Sequence, residues 1–244
     1  MKGIILAAGV GSRLRPLTND IPKCLVEVNG KSIIEYQIES YLNSGIDEIF
    51  IVTGYLQEKL VEFILKKYPN EKIKFINNKD YKVTNNMYSL YLLKDLIEDE
   101  FVMSNADVVF SKDMVEKLVQ NDGDNLIAVD KGNYNEESMK IIVKDEKISS
   151  ISKQISEQDA YGTSIDLYKF SNKARLEIFK EIDYTINNEN DLNSWTEVAL
   201  DAILDKIIFR PFDIGNRFWY EIDNHEDLKI AEKIVKESIV DEIR

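Results

Sequence analysis

Lys2, Arg13, Arg15, Lys23 and Lys31 crowd the first 31 residues, against only Asp20 and Glu27, in a chain of 244 residues whose formal charge is −13. A basic island in an acidic chain suits a small polyanion, although such counts also describe an ordinary solvated surface. The setting sharpens the first reading, because the island includes LAAGVGSRLRPLT. Gly9 and Gly11 can turn backbone N–H groups toward phosphate with no Cβ in the way. Arg13 offers a charged fork for phosphate oxygens, and Lys23 a mobile point charge. Arg15 reads equally well as an exposed loop charge. Much further along, Asp107 in SNADVVF and Asp223 in WYEID each close a predicted strand. Either alone reads as a turn or cap residue; together at a sheet's ligand edge they could hold a hard cation.

The elements that must position these groups follow from hydrophobic periodicity. KGIILAA (2–8) predicts a buried parallel strand cut off by Gly9. Ser32 is placed to cap a helix whose stripe is Ile34, Ile38, Tyr41 and Leu42, with Gly45 as its stop. DEIFIVTG (47–54) and KIKFI (72–76) predict strands around a helix carrying Leu56, Leu60, Phe63 and Ile64. MYSLYLLKDLI (87–97) predicts a helix and EFVMSNAD (100–107) a strand. This alternation predicts an α/β fold, a Rossmann-like, mixed, mostly parallel sheet flanked by helices, with ligands beyond the strands' carboxyl ends. After residue 125 the rhythm shifts to short strands at 126–130, 139–144, 147–152 and 161–170. Helices follow near 172–183 and 194–205, then strands IIFRPF (207–212) and RFWYEID (217–223). A final helix shows Leu228, Ala231, Val235 and Ile239 on one face. The expected organisation is one domain over 1–244, with a nucleotide-binding half (1–124) and an acceptor-binding half (125–244).

Composition narrows the classes. Hydrophobic content of 44% and charged content of 31% are those of a globular chain. No apolar run approaches the roughly 18 residues of a membrane span, and residues 1–8 lack a signal-peptide core. The single cysteine, Cys24, excludes an internal disulfide and fits a cytoplasmic location. Strong acidity argues against nucleic-acid and membrane partners. The oligomeric state is left open, a homodimer among the options.

Three phosphate-loop patterns compete for residues 6–23. A Walker A loop would end in Gly-Lys-Ser/Thr, where Gly11-Ser12-Arg13 stands, and a dinucleotide fingerprint would need glycine where Leu14 stands. LAAGVGSRLRPLTNDIPK instead resembles the L-A-A-G-x-G-[ST]-R-L-x-P-L-T-x-x-x-P-K pattern of the sugar-phosphate nucleotidylyltransferases. The resemblance implies the nucleotide-diphospho-sugar transferase fold. It implies that Leu6, Ala7, Ala8, Gly9, Gly11, Ser12 and Arg13 bind the nucleotide. Arg13 and Lys23 would be catalytic, with Lys23 also holding the acceptor phosphate. Asp107 and Asp223 would be the Mg²⁺ ligands; Glu221 alternates with Asp223 on the same strand face. An acceptor phosphate is already largely ionised at pH 7, so no general base is required, which suits a chain with one histidine. His225 reads as a helix-start surface residue.

One departure narrows the resemblance. The sugar enzymes carry a small-residue Gly-Leu-Ala-x-Ala base segment where this chain has TNNMYSLYLLKD (84–95). That run, with GYLQEKL (54–60) and YEIDNHEDLKIAEKI (220–234), is similar to cytidylyltransferases that activate phosphocholine or, for capsular phosphoramidate, L-glutamine phosphate. Asn85, Asn86 and Ser89 become expected contacts to the base, with turn and cap roles the alternative for the two asparagines. Tyr161, Trp195 and Glu197 become expected acceptor contacts, since an aromatic face and a carboxylate can hold an ammonium group; core packing is the alternative for Trp195. The implied activity is Mg²⁺-dependent CMP transfer from CTP to a small phosphorylated amine or amino-acid derivative, in capsule or surface polysaccharide synthesis. The alternatives are a sugar-1-phosphate enzyme and a non-catalytic subunit on the same scaffold.

Overall fold

The computed structural model describes residues 1–132, 134 and 138–242, with side chains followed to Ser238 apart from the omitted positions. β1 (Lys2–Ala7) leads into the glycine loop and a small antiparallel pair, β2 (Glu27–Val28) and β3 (Lys31–Ser32). Then follow α1 (Ile33–Asn43), β4 (Glu48–Thr53), α2 (Gln57–Lys67), β5 (Lys72–Asn77) and α3 (Asn86–Tyr91). β6 (Phe101–Asn105), β7 (Val108–Phe110) and α4 (Met114–Gln120) close the first half. The second half begins with β8 (Leu126–Asp130), β9 (Lys140–Lys144), β10 (Lys147–Ser152) and β11 (Gly162–Phe170). It ends with α5 (Asn172–Asn187), α6 (Thr196–Ile203), β12 (Arg210–Asp213), β13 (Trp219–Glu221) and α7 (His225–Glu242).

Among the described residues, nine strands form one mixed sheet along β10-β9-β11-β6-β1-β4-β5, with β8 paired to β11 and β12. β1 is parallel to β4 and β6, and β4 to β5, so four carboxyl ends share one edge. β11 runs antiparallel to β6, which carries the sheet from the first half into the second without a break. Period-two alternation sends Ile4 and Leu6 toward α3, α5 and α6, and Ile5 and Ala7 toward α1, α2 and α4. A smaller core of Leu14, Val26, Val28, Val109, Ile222, Ala231 and Val235 ties the phosphate loop, β7 and α7 together.

Local chemistry explains the framework. Ser32 and Glu35 form the reciprocal capping box that starts α1. On that helix the hydroxyl of buried Tyr41 donates to the Ile4 carbonyl at 3.1 Å and lies 3.0 Å from Ser104 Oγ. Its ring leaves no room for a Cβ on Gly3, which would fall 2.6 Å away.

Three expectations need correction. The 87–97 helix ends at Tyr91, because Leu93, Lys94 and Leu96 bond three residues back and tighten the chain into successive turns. Leu90, Leu93 and Ile97 remain buried, so the apolar stripe cannot distinguish the two. The strand expected over 207–212 is Arg210–Asp213, since Ile207 still bonds back to Ile203 at the end of α6. β13 leaves the main sheet and pairs with β7. The sequence reading also passed over β2, β3, β7 and α4, all of seven residues or fewer. On α7, Ala231 and Val235 are buried and Leu228 packs beside them, while the side chain of Ile239 lies outside the described residues. No helix among the described residues is long and apolar enough to cross a membrane.

Candidate active site

The loop after β1 is shaped by Gly11, whose φ of +62° is a left-handed conformation that favours glycine. A Cβ there would also meet Lys23 Cβ at 2.7 Å, so the lysine stem crosses directly over this residue. The Thr18 hydroxyl donates to the Gly11 carbonyl at 2.8 Å and fastens the loop. Cys24 and Leu25 are buried in the turn that carries Lys23, which fixes the base of its side chain. Burial pushes the Cys24 thiol up to about 12.

From that anchor Lys23 Nζ donates to Asp107 Oδ2 at 2.9 Å and to Asp223 Oδ1 at 2.7 Å. Arg13 Nη2 lies 2.8 Å from Asp223 Oδ2. Segments up to 200 residues apart therefore meet at one point. Desolvation pulls the Lys23 ammonium down, but Asp107 and Asp223 outweigh it and hold the group above the ordinary lysine value. Asp223 sits below the usual carboxylate range, since Lys23 and Arg13 more than offset its desolvation. Its backbone N–H donates to Asp227 Oδ2 at 2.9 Å, fixing the turn into α7. Glu221 joins the pair: one carboxylate oxygen each from Asp107, Glu221 and Asp223 lie within 4.8 Å of one another. Asp107 Oδ1 is buried with no hydrogen-bond partner among the described residues. Three hard oxygen donors and one unsatisfied buried oxygen fit a divalent cation.

This cluster stands in the wall of a cleft of about 470 Å³ at the carboxyl ends of the strands. Leu6, Ala8, Gly9, Arg13, Asn85, Asn86, Ser89, Asp107, Trp195, Glu197 and Asp223 all line it, as expected. Ala7 is buried in the core on the other face of the sheet, and Gly11, Ser12 and Tyr161 are not part of the lining. Tyr161 instead lies under the Lys131 ammonium, 4.6 Å from its ring centre.

The expected base contacts are already engaged within the protein. Asn85 caps α3 by accepting from the Asn86 N–H at 2.8 Å, and its amide donates to the Asn193 carbonyl at 3.0 Å. Asn86 accepts from the Thr196 N–H at 2.9 Å. Ser89 is buried and receives the Asn78 amide at 3.1 Å. These bonds set the shape of this end of the cleft and leave Tyr81 and Thr84 beside it in the lining.

Beside them, Glu197 is only 3% exposed and accepts the Tyr168 hydroxyl at 2.7 Å. The more open carboxylate is Asp166, which accepts from Asn105 Nδ2 at 2.9 Å. Burial raises both acids; the neighbouring charges of Glu197 and Asp107 add to it for Asp166, which is pushed up to about 7. Trp195 is 44% exposed, with Lys153 Nζ 4.7 Å from its ring centre. Sequence reasoning missed Asn78, Tyr81, Thr84, Asn105, Lys153 and Asp166. Only Asn105 carried a usable signal, ending β6 two residues before Asp107 in the turn that follows.

A family model described as nucleotidyl transferase matches residues 2–216. The chain is 34% identical to a CTP:phosphoglutamine cytidylyltransferase of Campylobacter jejuni, covering 94% of this chain and 98% of that protein. It is 33% identical to a choline-phosphate cytidylyltransferase of Streptococcus pneumoniae, covering 97% and 99%. A solved CTP:phosphocholine cytidylyltransferase from Streptococcus pneumoniae superposes with a TM-score of 0.78 at 27% identity, over 96% of this chain and 98% of that one. An inositol-1-phosphate CTP transferase from T. maritima shares the fold, with a TM-score of 0.80 at 23% identity over 96% and 95%. With the glycine loop, the converging Lys23, Asp107 and Asp223, and these likenesses together, the chain belongs to the nucleotidyl transferase family.

Proposed function

We propose that the protein is a Mg²⁺-dependent cytidylyltransferase that moves CMP from CTP to the phosphate of a small phosphorylated amine or amino-acid derivative and releases pyrophosphate. One observation carries it: Lys23, its stem crossing Gly11 of the glycine loop, meets Asp107 and Asp223, both of which line the cleft. The near full-length likeness to two cytidylyltransferases supports CTP and an amine-bearing phosphate as the substrate classes.

The triphosphate lies along the Gly9 loop, where Arg13 offsets charge on the departing pyrophosphate. Lys23 draws the acceptor phosphate toward the α-phosphorus. An acceptor oxygen attacks that phosphorus, the bond to the α,β-bridging oxygen breaks, and pyrophosphate leaves with the electron pair. No proton need be removed from an already ionised phosphate. His225 agrees with this, since its ring Nε2 is held 2.8 Å from the Arg15 carbonyl. Asp107 and Asp223, with Glu221 beside them, would hold the Mg²⁺, which supplies charge neutralisation on the phosphates. Trp195 and Glu197 stand at the acceptor end. ³¹P NMR of the protein with Mg²⁺, each nucleotide, and phosphocholine, phosphoethanolamine, L-glutamine phosphate, glucose 1-phosphate and mannose 1-phosphate tests the assignment. CTP with an amine acceptor is the expected pair. Turnover of a sugar phosphate with UTP or dTTP, and none of the amines, would overturn it.

A further inference from the structure

We propose that Asp166 is the specificity-determining residue of the acceptor end, meeting the ammonium group of the acceptor through its carboxylate. The inference rests on the cytidylyltransferase reading above and extends it to a residue that neither periodicity nor resemblance had singled out.

Asp166 lies in β11 with φ of +58°, a left-handed conformation that a non-glycine residue adopts at a cost of about 1–3 kcal/mol. The strand breaks register there, its pairing to β8 slipping between Ser164 and Tyr168. Alternation is kept across the slip: Ile165 and Leu167 enter the core on one face, while Ser164 and Asp166 line the cleft on the other. Asn105 Nδ2 holds the carboxylate by donating to Oδ2 at 2.9 Å, and the Tyr168 hydroxyl lies 3.0 Å from Oδ1.

The Tyr168 hydroxyl is also 2.7 Å from Glu197 Oε1. It has one hydrogen, which can serve only one of the two carboxylates at a time. Glu197, nearly sealed from solvent, has the shorter contact, so Asp166, the less buried of the two carboxylates in the lining, is the one with capacity to spare. The division of labour differs from the sequence expectation: Glu197 acts through Tyr168 as a positioning residue. The Trp195 face, also in the cleft lining, already carries a primary ammonium, that of Lys153, 4.7 Å from its centre. An indole face and a fixed carboxylate lining one cavity are the elements that recognise an ammonium.

The test uses the full chain with CTP, Mg²⁺ and two acceptor pairs differing only in the cation. These are phosphocholine with 3,3-dimethylbutyl phosphate, and L-glutamine phosphate with its desamino analogue. Wild-type protein should favour the charged member of at least one pair by about 30-fold or more in kcat/KM, the scale of an ion contact inside a cleft. In Asp166→Asn and Asp166→Gly that preference should fall to about threefold or less. Asp166→Gly relieves the left-handed backbone, so it should melt no lower than wild type; a purely structural aspartate would predict a lower Tm. Preference persisting in both folded variants, or equal use of both members by wild type, overturns this inference and leaves cytidylyl transfer standing. Failure of wild type to use either member of either pair overturns the cytidylyltransferase reading and this inference with it.

Discussion

The two ends of the cleft solve opposite problems with opposite materials. The phosphate end is open backbone and cation: Gly9 has no heavy atom within 4 Å of where a Cβ would stand, and Arg13 is exposed. The region proposed for the acceptor carries two carboxylates, Glu197 sealed behind Tyr168 and Asp166 raised to about 7 by burial and its acidic neighbours. Between them Asp107 touches both charge systems, bonded to Lys23 on one side and acting on Asp166 on the other. On the function proposed above, this arrangement would orient the nucleotide polyanion and a cation-bearing phosphate relative to one another. Charge arranged this way sets orientation and partner choice more than raw affinity.

The comparison breaks most completely at its midpoint. Asp107→Asn and Asp223→Asn should each lower metal-dependent turnover by about 10³-fold or more, the scale of several kcal/mol of lost charge stabilisation. The double variant should add little, because both carboxylates serve one centre. Initial rates against Mg²⁺ concentration decide it; mild, additive losses at every concentration would mark both as structural.

Next in size is the cationic end. Lys23→Ala should reduce kcat/KM by about 10²–10³-fold, as for loss of one preorganised charge, with an unchanged circular dichroism spectrum. Pyrophosphate release above half the wild-type rate would remove Lys23 from the chemistry.

A smaller effect is expected at the acidic end. Glu197→Gln keeps an acceptor for the Tyr168 hydroxyl but removes a charge, so the acceptor's KM should rise about fivefold, on the scale of one hydrogen bond of about 1 kcal/mol. The KM for CTP should stay within about twofold of wild type on the same scale. An equal rise in both constants would show that the two ends do not act separately.

The last effect is on stability without substrates. Asp166 faces Glu197 from α6, Asp107 beyond β6 and Glu221 from β13, with Tyr168 and Asn105 as donors. Its folded value of about 7 lies above the unfolded carboxylate's, so the folded state retains a proton that the unfolded state has lost. Stability from this group is therefore full below about pH 4, falls as pH rises to about 7, and is level beyond. Asp166→Asn removes the fall. Its advantage over wild type should be small at pH 4.5 and reach about 1–2 kcal/mol at pH 8, the water in the cleft reducing the full shift. Urea unfolding at the two pH values measures it, and an advantage independent of pH would exclude a titrating Asp166.

Much of the phosphate end was legible in the chain because its chemistry is local. A buried strand, two glycines, Arg13 and the Pro-Lys pair lie within 23 residues, and a short loop leaves their relative placement few options. The strand before Asp107 was equally readable, since a continuous apolar run must be buried and end at the common edge of a parallel sheet, whereas β13 before Asp223 stands outside that sheet. Asn85 and Asn86 were legible as residues but not as contacts, because Leu192, Asn193 and Thr196 claim their bonds across more than 100 residues.

By itself the sequence determined the α/β framework, the phosphate loop and the residue types of the catalytic cluster, through periodicity and short-range spacing. Tertiary structure decided that Lys23 stands between two aspartates, one 84 and the other 200 residues away. It decided also that Asp166 faces the cleft while Glu197 is sealed behind Tyr168. Those outcomes depend on the hold of Asn105 on Asp166 from a neighbouring strand and on one hydroxyl hydrogen between two carboxylates. Neither has a periodic signature, because each arises only when distant segments compete for the same space and the same proton.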